Sequence, residues 1–461
     1  MAPTTNDPRR GDELHRPVVE RANATDRAFL SMDTGRIPEQ FAVILMLRHG
    51  GDLELDQVRR LIGRRILGVP RLRQRLTRVA LGGGGPIWRD DPVFDLARHV
   101  TAMRCPAPGD RQALLDTAMA RALVRLPRSS PLWSATLITE LADGDAALLL
   151  VVHHVLADGV GGLAVLGALV DPGAEPVEVG FPRVGPAWTA LARDAWQVRL
   201  RALRDAPRTW QQVRRSMSAA GGVSPSRAAA CSLLRRTGPR RAAQAVTVDR
   251  TALRMAAHRH GATTNDAVLV AVAAALARVL RMRGESIGTI TVTVPVSGRR
   301  ADKDAGRGGQ GPALGNMVSP LLVEVTTDGP IGERLARVGE AVRTGKAAAT
   351  GPPPIALLGW AFRPVARVGG FRWYMNHQHR FHTLVSHVRG PDHHVTFGGH
   401  LVHTAIPIGV GEGGNVTVHV EVLSYAGEIT VTAVVDPDHF PEVAALRNHL
   451  AAELEAIVVQ A

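Results

Sequence analysis

Cysteine and aromatic side chains are scarce in this chain. Only Cys105 and Cys231 occur among 461 residues, far apart in sequence, so no disulfide framework is expected and a reducing compartment is favoured. Aromatic residues make up 4% of the sequence, whereas 45% of it is hydrophobic. That apolar content is typical of a globular protein, and the length predicts two large lobes rather than one core.

Long apolar runs are also missing. The longest candidate, Ala267 to Ala277, falls short of the roughly 20 residues that a membrane-spanning helix requires. Residues 1–21 are polar and charged and lack the apolar core of a secretory signal. A cytoplasmic location is therefore expected, with peripheral contact at the inner membrane or at a lipid-droplet surface as the alternative.

Acidic residues are outnumbered by basic ones. Lys and Arg total 55 and Asp and Glu total 42, which gives a formal net charge of +13. This excess attracts anions such as CoA phosphates, acidic carrier domains, anionic lipid surfaces or nucleic acid. A generic solvated basic surface explains the charge equally well, so the net charge alone does not select a partner.

Strand and helix patterns alternate irregularly along the chain. They predict an α/β or α+β architecture in which two lobes built on mixed sheets enclose a cleft. Turn-rich stretches predict a disordered arm over 1–24, an N-terminal lobe over 25–180, a linker with a basic amphipathic helix over 181–241, and a C-terminal lobe over 242–461.

The amphipathic helix of the linker is predicted over Trp188 to Met217, where tryptophans and leucines interleave with arginines. It is interpreted as a connector packed on the body of the protein. The alternative is a helix that lies on a lipid surface.

The most informative segment is an apolar run that ends in two histidines, since residues 148–159 read LLLVVHHVLADG. It predicts a buried strand that delivers a neutral imidazole into a cavity, where the imidazole removes a proton from an attacking hydroxyl or amine. Successive strand residues point to opposite faces, so His153 and His154 cannot share one orientation. His154, at the strand terminus, is predicted to be the base, with His153 packed or hydrogen-bonded behind it.

Asp158 and Gly159 close this motif. Asp158 either orients His154 directly, as a triad acid does, or braces the loop through an arginine, which its short distance from the strand end favours. Gly159 allows a sharp turn or a close backbone approach. A structural histidine pair with Asp158 as a helix N-cap is another interpretation. A zinc site is a third, although no cysteine cluster supports it and the histidine-rich stretch 377–403 lacks regular ligand spacing.

Further motifs accompany the histidines along the chain. Together they resemble the bacterial wax ester synthase/diacylglycerol acyltransferase family, within the superfamily of chloramphenicol acetyltransferases and condensation domains. The resemblance runs from about Asp26 to the C-terminus. Its motifs include Pro131-Leu132-Trp133, Thr264-Asn265-Asp266, Pro295-Val296-Ser297-Gly298-Arg299, Gly315-Asn316-Met317-Val318-Ser319, Ser386-His387-Val388-Arg389-Gly390-Pro391 and Ser424-Tyr425-Ala426-Gly427.

The resemblance implies two chloramphenicol-acetyltransferase-like lobes and a central tunnel that acyl-CoA and the acceptor enter from opposite sides. It implies that His154 is the general base and that Asp158 is structural, ion-paired with Arg299. Asn265 and Asp266 match a pair usually placed near the tunnel, and helix capping explains them equally well. Asn316 or backbone amides are candidates for stabilising the oxyanion. The candidates for lining the tunnel are Pro131, Trp133, Asn316, Ser386, His387 and Arg389.

The implied reaction is fatty acyl transfer from CoA to an alcohol, as in wax ester or triacylglycerol synthesis. Acyl-CoA enters as a substrate, and neither a cofactor nor a metal nor nucleic acid is expected. The family's SNVPGP segment reads SHVRGP here, and His387 and Arg389 are expected to make the acceptor side more polar. That departure favours an alternative, in which a polar alcohol or amine is acylated from CoA or an acyl carrier protein. A non-catalytic lipid-binding surface protein is a third hypothesis, against which the intact histidine motif argues.

Overall fold

The structure is a computed structural model that describes residues 19–156, 159–173, 180–204, 211, 228–297, 318–348, 362–411 and 413–460. Two six-stranded mixed sheets organise it, each with its own hydrophobic core. In the first sheet the strand order is β11 (Thr396–Phe397), β12 (His400–Gly409), β1 (Gln40–Leu47), β6 (Ala146–His153), β5 (Trp133–Thr139) and β4 (Val100–Arg104).

The second sheet is also mixed, because β10 runs parallel to both of its neighbours while the outer pairs are antiparallel. A separate two-stranded antiparallel ribbon joins β2 (Gln74–Thr77) to β3 (Ile87–Asp90). The strand order of the second sheet is β7 (Ala242–Asp249), β14 (Glu428–Val435), β13 (Val418–Tyr425), β10 (Thr383–Arg389), β8 (Thr289–Ser297) and β9 (Val318–Thr326). The predicted α/β architecture with two mixed sheets is confirmed.

Helices pack on both sheets, and a helical turn at 362–367 precedes one of them. The helices are α1 (Ala24–Met32), α2 (Leu55–Arg65), α3 (Leu96–His99), α4 (Arg111–Ala122), α5 (Gly159–Leu169), α6 (Trp188–Arg204), α7 (Arg250–Arg259), α8 (Thr264–Met282), α9 (Ile331–Ala348), α10 (Gly370–Asn376) and α11 (Val443–Gln460).

The strand that carries the histidine motif is central in the first sheet. Every residue of β6 is buried, as a strand covered on both faces requires. The strand lies antiparallel between β1 and β5. The register pairs Gln40 with His153, so the N-terminal end of β1 lies beside the motif.

The predicted division into contiguous lobes needs correction. Strands β11 and β12 belong to the predicted C-terminal lobe of 242–461, yet they join the first sheet, where β12 pairs with β1. Without β12, the apolar strand β1 would be an edge strand with unpaired backbone groups. Residues 19–24 of the predicted arm are packed as well, since the Ala22 N–H donates to the Pro86 carbonyl at 3.0 Å and Arg21 bridges to Ile87.

No single helix in the described part of the chain is both long and apolar enough to cross a bilayer. Helices α7 and α8 reach that length and apolar content only when they are counted together, and they are bent by 91° relative to each other.

Candidate active site

Two neighbouring strands hold the histidine pair by its backbone. The His153 N–H donates to the Leu132 carbonyl at 3.0 Å, just before β5 begins. The His154 N–H donates to the Glu39 carbonyl at 2.9 Å, just before β1 begins. The end of the apolar strand therefore fixes both histidines, and their side chains enter different surroundings, as the alternation of a strand requires.

His153 is a buried structural side chain that is 1% exposed. Its Nδ1 accepts the Val155 N–H at 3.0 Å, which leaves the proton on Nε2. Nε2 then donates to Oδ2 of Asp33 at 3.2 Å. Since both ring nitrogens are engaged, His153 lies hydrogen-bonded behind the turn and is not available as a base.

Asp33 is the centre of a buried ionic network. Its carboxylate also accepts hydrogen bonds from Arg125 and, at 2.8 Å, from Arg128, and its Oδ1 accepts the Glu39 N–H at 3.2 Å. Burial alone would raise the pKa of Asp33, but the hydrogen bonds from His153, Arg128 and Arg125 outweigh it and hold the pKa well below its usual value. Asp33 is therefore an anion that braces His153 and the start of β1 together.

His154 has aromatic neighbours instead. Its ring stacks on Phe29, with centroids 5.3 Å apart, and lies 4.9 Å from the ring of Phe41. Burial is the main cause that lowers the pKa of His154, to about 4. Residue 154 as a whole is not fully buried, and its imidazole is neutral at pH 7. A neutral imidazole is the state that general base catalysis needs.

One short helix supplies a partner to each histidine. Phe29 and Asp33 lie four residues apart, at the end of α1, and therefore on one face. The backbone joins them too, because the Asp33 N–H donates to the Phe29 carbonyl at 2.9 Å. Sequence reasoning missed both residues. An aromatic and a carboxylate at i and i+4 on an amphipathic segment are a visible signal, but nothing local connects them with histidines 120 residues later.

Gly162 in α5 is another residue that the sequence reasoning missed. A Cβ atom at this position would lie 2.8 Å from Cζ of Phe41, so only glycine lets α5 approach that ring without displacing it. Gly159 begins α5, while Asp158, Arg299 and Asn316 lie outside the described residues. The predicted roles of those three residues stay predictions.

Pro131 and Trp133 are core residues rather than the lining of an accessible passage. Both are buried, and Trp133 is only 1% exposed. The Trp133 ring stacks on His99 with centroids 4.8 Å apart, and its Nε1 donates to the Leu72 carbonyl at 2.7 Å. The expectation that they line the tunnel is corrected, because they fix the strand end that meets His153.

Asn265 and Asp266 lie in the first turn of α8. Thr263 is the N-cap of this helix, and it forms a capping box with Asp266. Asp266 therefore caps the helix, whereas Asn265 does not. The amide nitrogen of Asn265 and Oδ1 of Asp266 are both buried without a hydrogen-bond partner.

The segment that departs from the family pattern lies on β10, which carries Ser386, His387 and Arg389 and is contacted by α5. His387 Nε2 lies 2.9 Å from the Ser424 hydroxyl, and burial, with smaller effects of Lys346 and Arg389, lowers its pKa to about 4. Arg389 is exposed and ion-paired with Asp392 at 3.3 Å. The expected increase in polarity is thus limited, since the imidazole is neutral and hydrogen-bonded and the guanidinium lies at the surface.

Metal binding was a further interpretation of the histidines. Within the residues that the structure describes, no three His, Cys, Asp or Glu side chains are grouped to hold a metal ion. Instead, His382 bonds to backbone groups, accepting the Thr291 N–H at 2.9 Å and contacting the Ala229 carbonyl at 2.8 Å.

Sequence models of one family match most of the chain. The wax ester synthase/diacylglycerol acyltransferase catalytic domain matches residues 23–268, and the C-terminal domain of that family matches residues 313–458. A Mycobacterium tuberculosis protein named "Probable diacyglycerol O-acyltransferase tgs3" is 30% identical over 190 residues, which cover 40% of this chain and 70% of that protein. Another relative from that organism, also given a diacyglycerol O-acyltransferase name, is 26% identical over 457 residues and covers 92% of this chain and 87% of its own.

Solved structures share the fold. The wax ester synthase/diacylglycerol acyltransferase from Marinobacter aquaeolei VT8 superposes with a TM-score of 0.66 at 21% identity, over 95% of this chain and 99% of that one. The first condensation domain of the calcium-dependent antibiotic synthetase superposes with a TM-score of 0.61 at 16% identity, over 96% of each chain. The resemblance inferred from the motifs is confirmed: the chain belongs to the wax ester synthase/diacylglycerol acyltransferase family and is an acyltransferase.

Proposed function

We propose that the protein transfers a fatty acyl group from CoA to the hydroxyl of a fatty alcohol or diacylglycerol, with His154 as the general base. The observation that carries this role is the difference between two adjacent histidines. His153 has both ring nitrogens engaged, whereas His154 is neutral, held between aromatic rings and not fully buried. Acyl-CoA serves as a substrate, and the reaction requires no cofactor.

The reaction follows from these properties. His154 accepts the hydroxyl proton while the alcohol oxygen bonds to the thioester carbonyl carbon, and an oxyanion forms on the carbonyl oxygen. Backbone amides or Asn316 are the proposed donors to that oxyanion. The C–S bond then breaks, and the thiolate leaves readily because a thiol has a pKa of about 8.5, far below that of an alcohol. The imidazolium returns its proton to sulfur, which yields ester and free CoA without an acyl-enzyme.

A lipid acceptor is preferred to a polar alcohol or amine. The polar alternative rested on His387 and Arg389, and both have partners within their own lobe, Ser424 and Asp392. The curated relatives are also named as diacylglycerol acyltransferases. A donor that must be carried by an acyl carrier protein and a non-catalytic lipid binder are the remaining alternatives, and CoA release from an acyl-CoA would argue against both.

The test is CoA release from palmitoyl-CoA with a panel of acceptors: hexadecanol, dipalmitoylglycerol, a short polar alcohol and an amine. We expect turnover with the two lipids and a loss of at least ~10²-fold in His154→Ala, the scale of a positioned general base. His258→Ala, an exposed histidine on α7, is the matched control and should keep full turnover. Near-normal turnover in His154→Ala refutes the base assignment, and absence of thiol release with every acceptor refutes the function.

A further inference from the structure

Arg73 is a buried cation at the end of the 3-10 helix Pro70–Arg73, directly before β2. The residue is 7% exposed, and its Nε is buried without a hydrogen-bond partner. Within the described ranges of the chain, its side chain forms no hydrogen bond or ion pair. Burial lowers the pKa of Arg73, the carboxylate of Asp90 acts against this effect, and the charge of Arg183 adds to it. A buried charge without a partner is costly, so an arginine in this state is expected to have an anionic ligand.

The contact that Arg73 does make is with an aromatic ring. Its guanidinium carbon lies 4.3 Å from the centroid of the Phe181 ring. The ring of Phe94 packs edge-on against Phe181, with centroids 6.4 Å apart. A cation–π contact orients the planar guanidinium, but it supplies no acceptor for the N–H groups. The aromatic ring therefore positions Arg73 without balancing its charge.

Arg183 lies two residues after Phe181, and its charge is already balanced by Asp90. The Asp90 carboxylate accepts Nη2 and Nε of Arg183 at 2.8 and 3.0 Å, and also the backbone N–H of Arg183 at 2.9 Å. Gln74 donates to the same carboxylate at 3.2 Å. Since Arg183 and Gln74 occupy both oxygens of Asp90, the unbalanced positive charge stays on Arg73.

A second guanidinium of the same 3-10 helix is incompletely paired. The guanidinium carbon of Arg71 lies 4.1 Å from the centroid of the Trp88 ring, and its Nη2 lies 3.3 Å from a carboxylate oxygen of Glu20. Its Nη1, however, is buried without a hydrogen-bond partner. Two arginines of one short helix thus keep buried donors that have no acceptor, although buried polar atoms are normally hydrogen-bonded.

Hydrogen bonds connect this helix to the histidine motif. Between the two arginines, the Leu72 carbonyl accepts Nε1 of Trp133 at 2.7 Å. Directly before Trp133, the Leu132 carbonyl accepts the His153 N–H at 3.0 Å. The arginines therefore lie at the same end of the first sheet as the histidine pair, with the start of β5 between them. A ligand must be extended to contact both Arg73 and the catalytic base.

We propose that Arg73 and Arg71 form an anion site for a phosphate group, which acyl-CoA supplies during turnover. This inference rests on the proposed function, in which the acyl donor is a CoA thioester. Guanidinium groups bind phosphate oxygens through paired N–H groups. The pantetheine arm of CoA separates its phosphates from its thioester, so they have to be bound away from the base. Free phosphate offers the same chemistry without that arm.

The experiment is isothermal titration calorimetry of the full-length protein with adenosine 3′,5′-bisphosphate and, separately, with inorganic phosphate. The nucleotide carries the adenosine and the 3′-phosphate of CoA but no thiol or acyl group. Arg73→Met removes the guanidinium and keeps an unbranched side chain that can pack on Phe181, and Arg71→Met tests the second arginine. Arg78→Met, the same substitution at an exposed arginine directly after β2, is the matched control.

We expect the affinity for the nucleotide to fall by about tenfold or more in Arg73→Met and in Arg71→Met, the factor that a hydrogen bond to a charged group contributes. The affinity should be unchanged in Arg78→Met. Without ligand, the melting temperature of Arg73→Met should equal or exceed that of wild type, because the substitution removes an unpaired buried charge. Tighter binding of the nucleotide than of inorganic phosphate would support CoA as the source of the phosphate, and equal affinities would overturn that source.

Turnover distinguishes failure of this site from failure of the proposed function. Arg73→Met should raise KM for palmitoyl-CoA with little change in kcat, as loss of a contact made equally in the ground and transition states predicts. Wild-type nucleotide affinity in both Arg73→Met and Arg71→Met, an equal loss in Arg78→Met, or a clearly lower melting temperature of ligand-free Arg73→Met would each overturn the site. Nucleotide binding that depends on Arg73 in a protein that releases no CoA would overturn the proposed function and leave the site standing.

Discussion

Replacing Gly162 with alanine tests the packing that positions His154. An added Cβ would lie 2.8 Å from Cζ and 2.9 Å from Cε2 of Phe41, whereas ordinary contact begins at 3.4 Å. The ring therefore has to move by about 0.6 Å to restore an ordinary contact. The backbone of Phe41 cannot follow, because β1 is paired on both sides, with Val152 and with Gly409. The movement is passed to the ring of His154, 4.9 Å away.

Gly162→Ala is expected to lower both the stability and the turnover of the protein. Overpacking of this kind lowers the free energy of unfolding by about 1–3 kcal/mol, whereas replacing a helical glycine by alanine raises it by about 0.5–1 kcal/mol. The net destabilisation is thus about 0–2.5 kcal/mol. A misplacement of 1 Å can cost about 10²-fold in rate, so a shift of roughly half that size should lower kcat by about tenfold.

Gly167→Ala is the matched control in the same helix. A Cβ at this position meets nothing within 4 Å, so turnover should be unchanged and the melting temperature equal or slightly higher. The assay is CoA release at saturating acyl-CoA, followed by thermal melting of both variants. Wild-type turnover in Gly162→Ala, or an equal loss in Gly167→Ala, would refute the claim that displacement of the Phe41 ring shifts the ring of His154.

Three further predictions follow from the titrating groups. Asp33→Asn removes the buried carboxylate that Arg125, Arg128 and His153 contact. It should lower the free energy of unfolding by about 1–3 kcal/mol in urea titrations, because the two arginines are partly exposed and solvent compensates part of the loss. Asp143→Asn at an exposed site should stay within about 0.5 kcal/mol of wild type, and equal effects of the two substitutions would contradict the network. Because the pKa of His154 is about 4, the acid limb of kcat/KM should lie near pH 4, and a limb near 6.5 would show a solvated base. Burial also lowers the pKa of His387 to about 4 and of His419 to about 3. In the unfolded chain these histidines bind protons near pH 6.5. The free energy of unfolding should therefore be highest above that pH and should decrease as the pH falls toward 4. An equal free energy of unfolding at pH 7 and pH 5 would contradict this prediction.

Local patterns predicted the individual elements well. The buried strand predicted to end in the two histidines forms as Ala146–His153, and the amphipathic helix predicted from Trp188 begins at that residue. Both depend on periodicity and on capping residues close in sequence. The pairing of β12 with β1 could not be predicted in this way, because it joins strands that are more than 350 residues apart. Helix α1 was also missed, since its nine residues are fewer than a periodic pattern needs to be recognised.

In the candidate site, too, the residues of a contiguous motif could be predicted, whereas residues that act through tertiary contacts could not. The histidine motif was visible because its residues are contiguous. Asp33, Phe29 and Gly162 were not, because each acts through a tertiary contact. His387 shows the same difficulty, since its residue type indicates polarity, whereas its burial and its hydrogen bond to Ser424 make it neutral.

His153 and His154 are adjacent and chemically identical, but they have different roles because they contact different partners. The alternation of side chains along a strand points the two rings to opposite faces. Asp33, the C-cap residue of α1, contacts His153, and Phe29 within α1 contacts His154. The carboxylate engages His153 in an ionic network, while the phenyl ring offers His154 no charge that would stabilise its protonated form. Burial beside these rings lowers the pKa of His154. Because the two histidines are adjacent in the chain, a substitution that weakens the network at Asp33 is expected to shift the ring of His154, although Asp33 makes its hydrogen bond to the ring of His153.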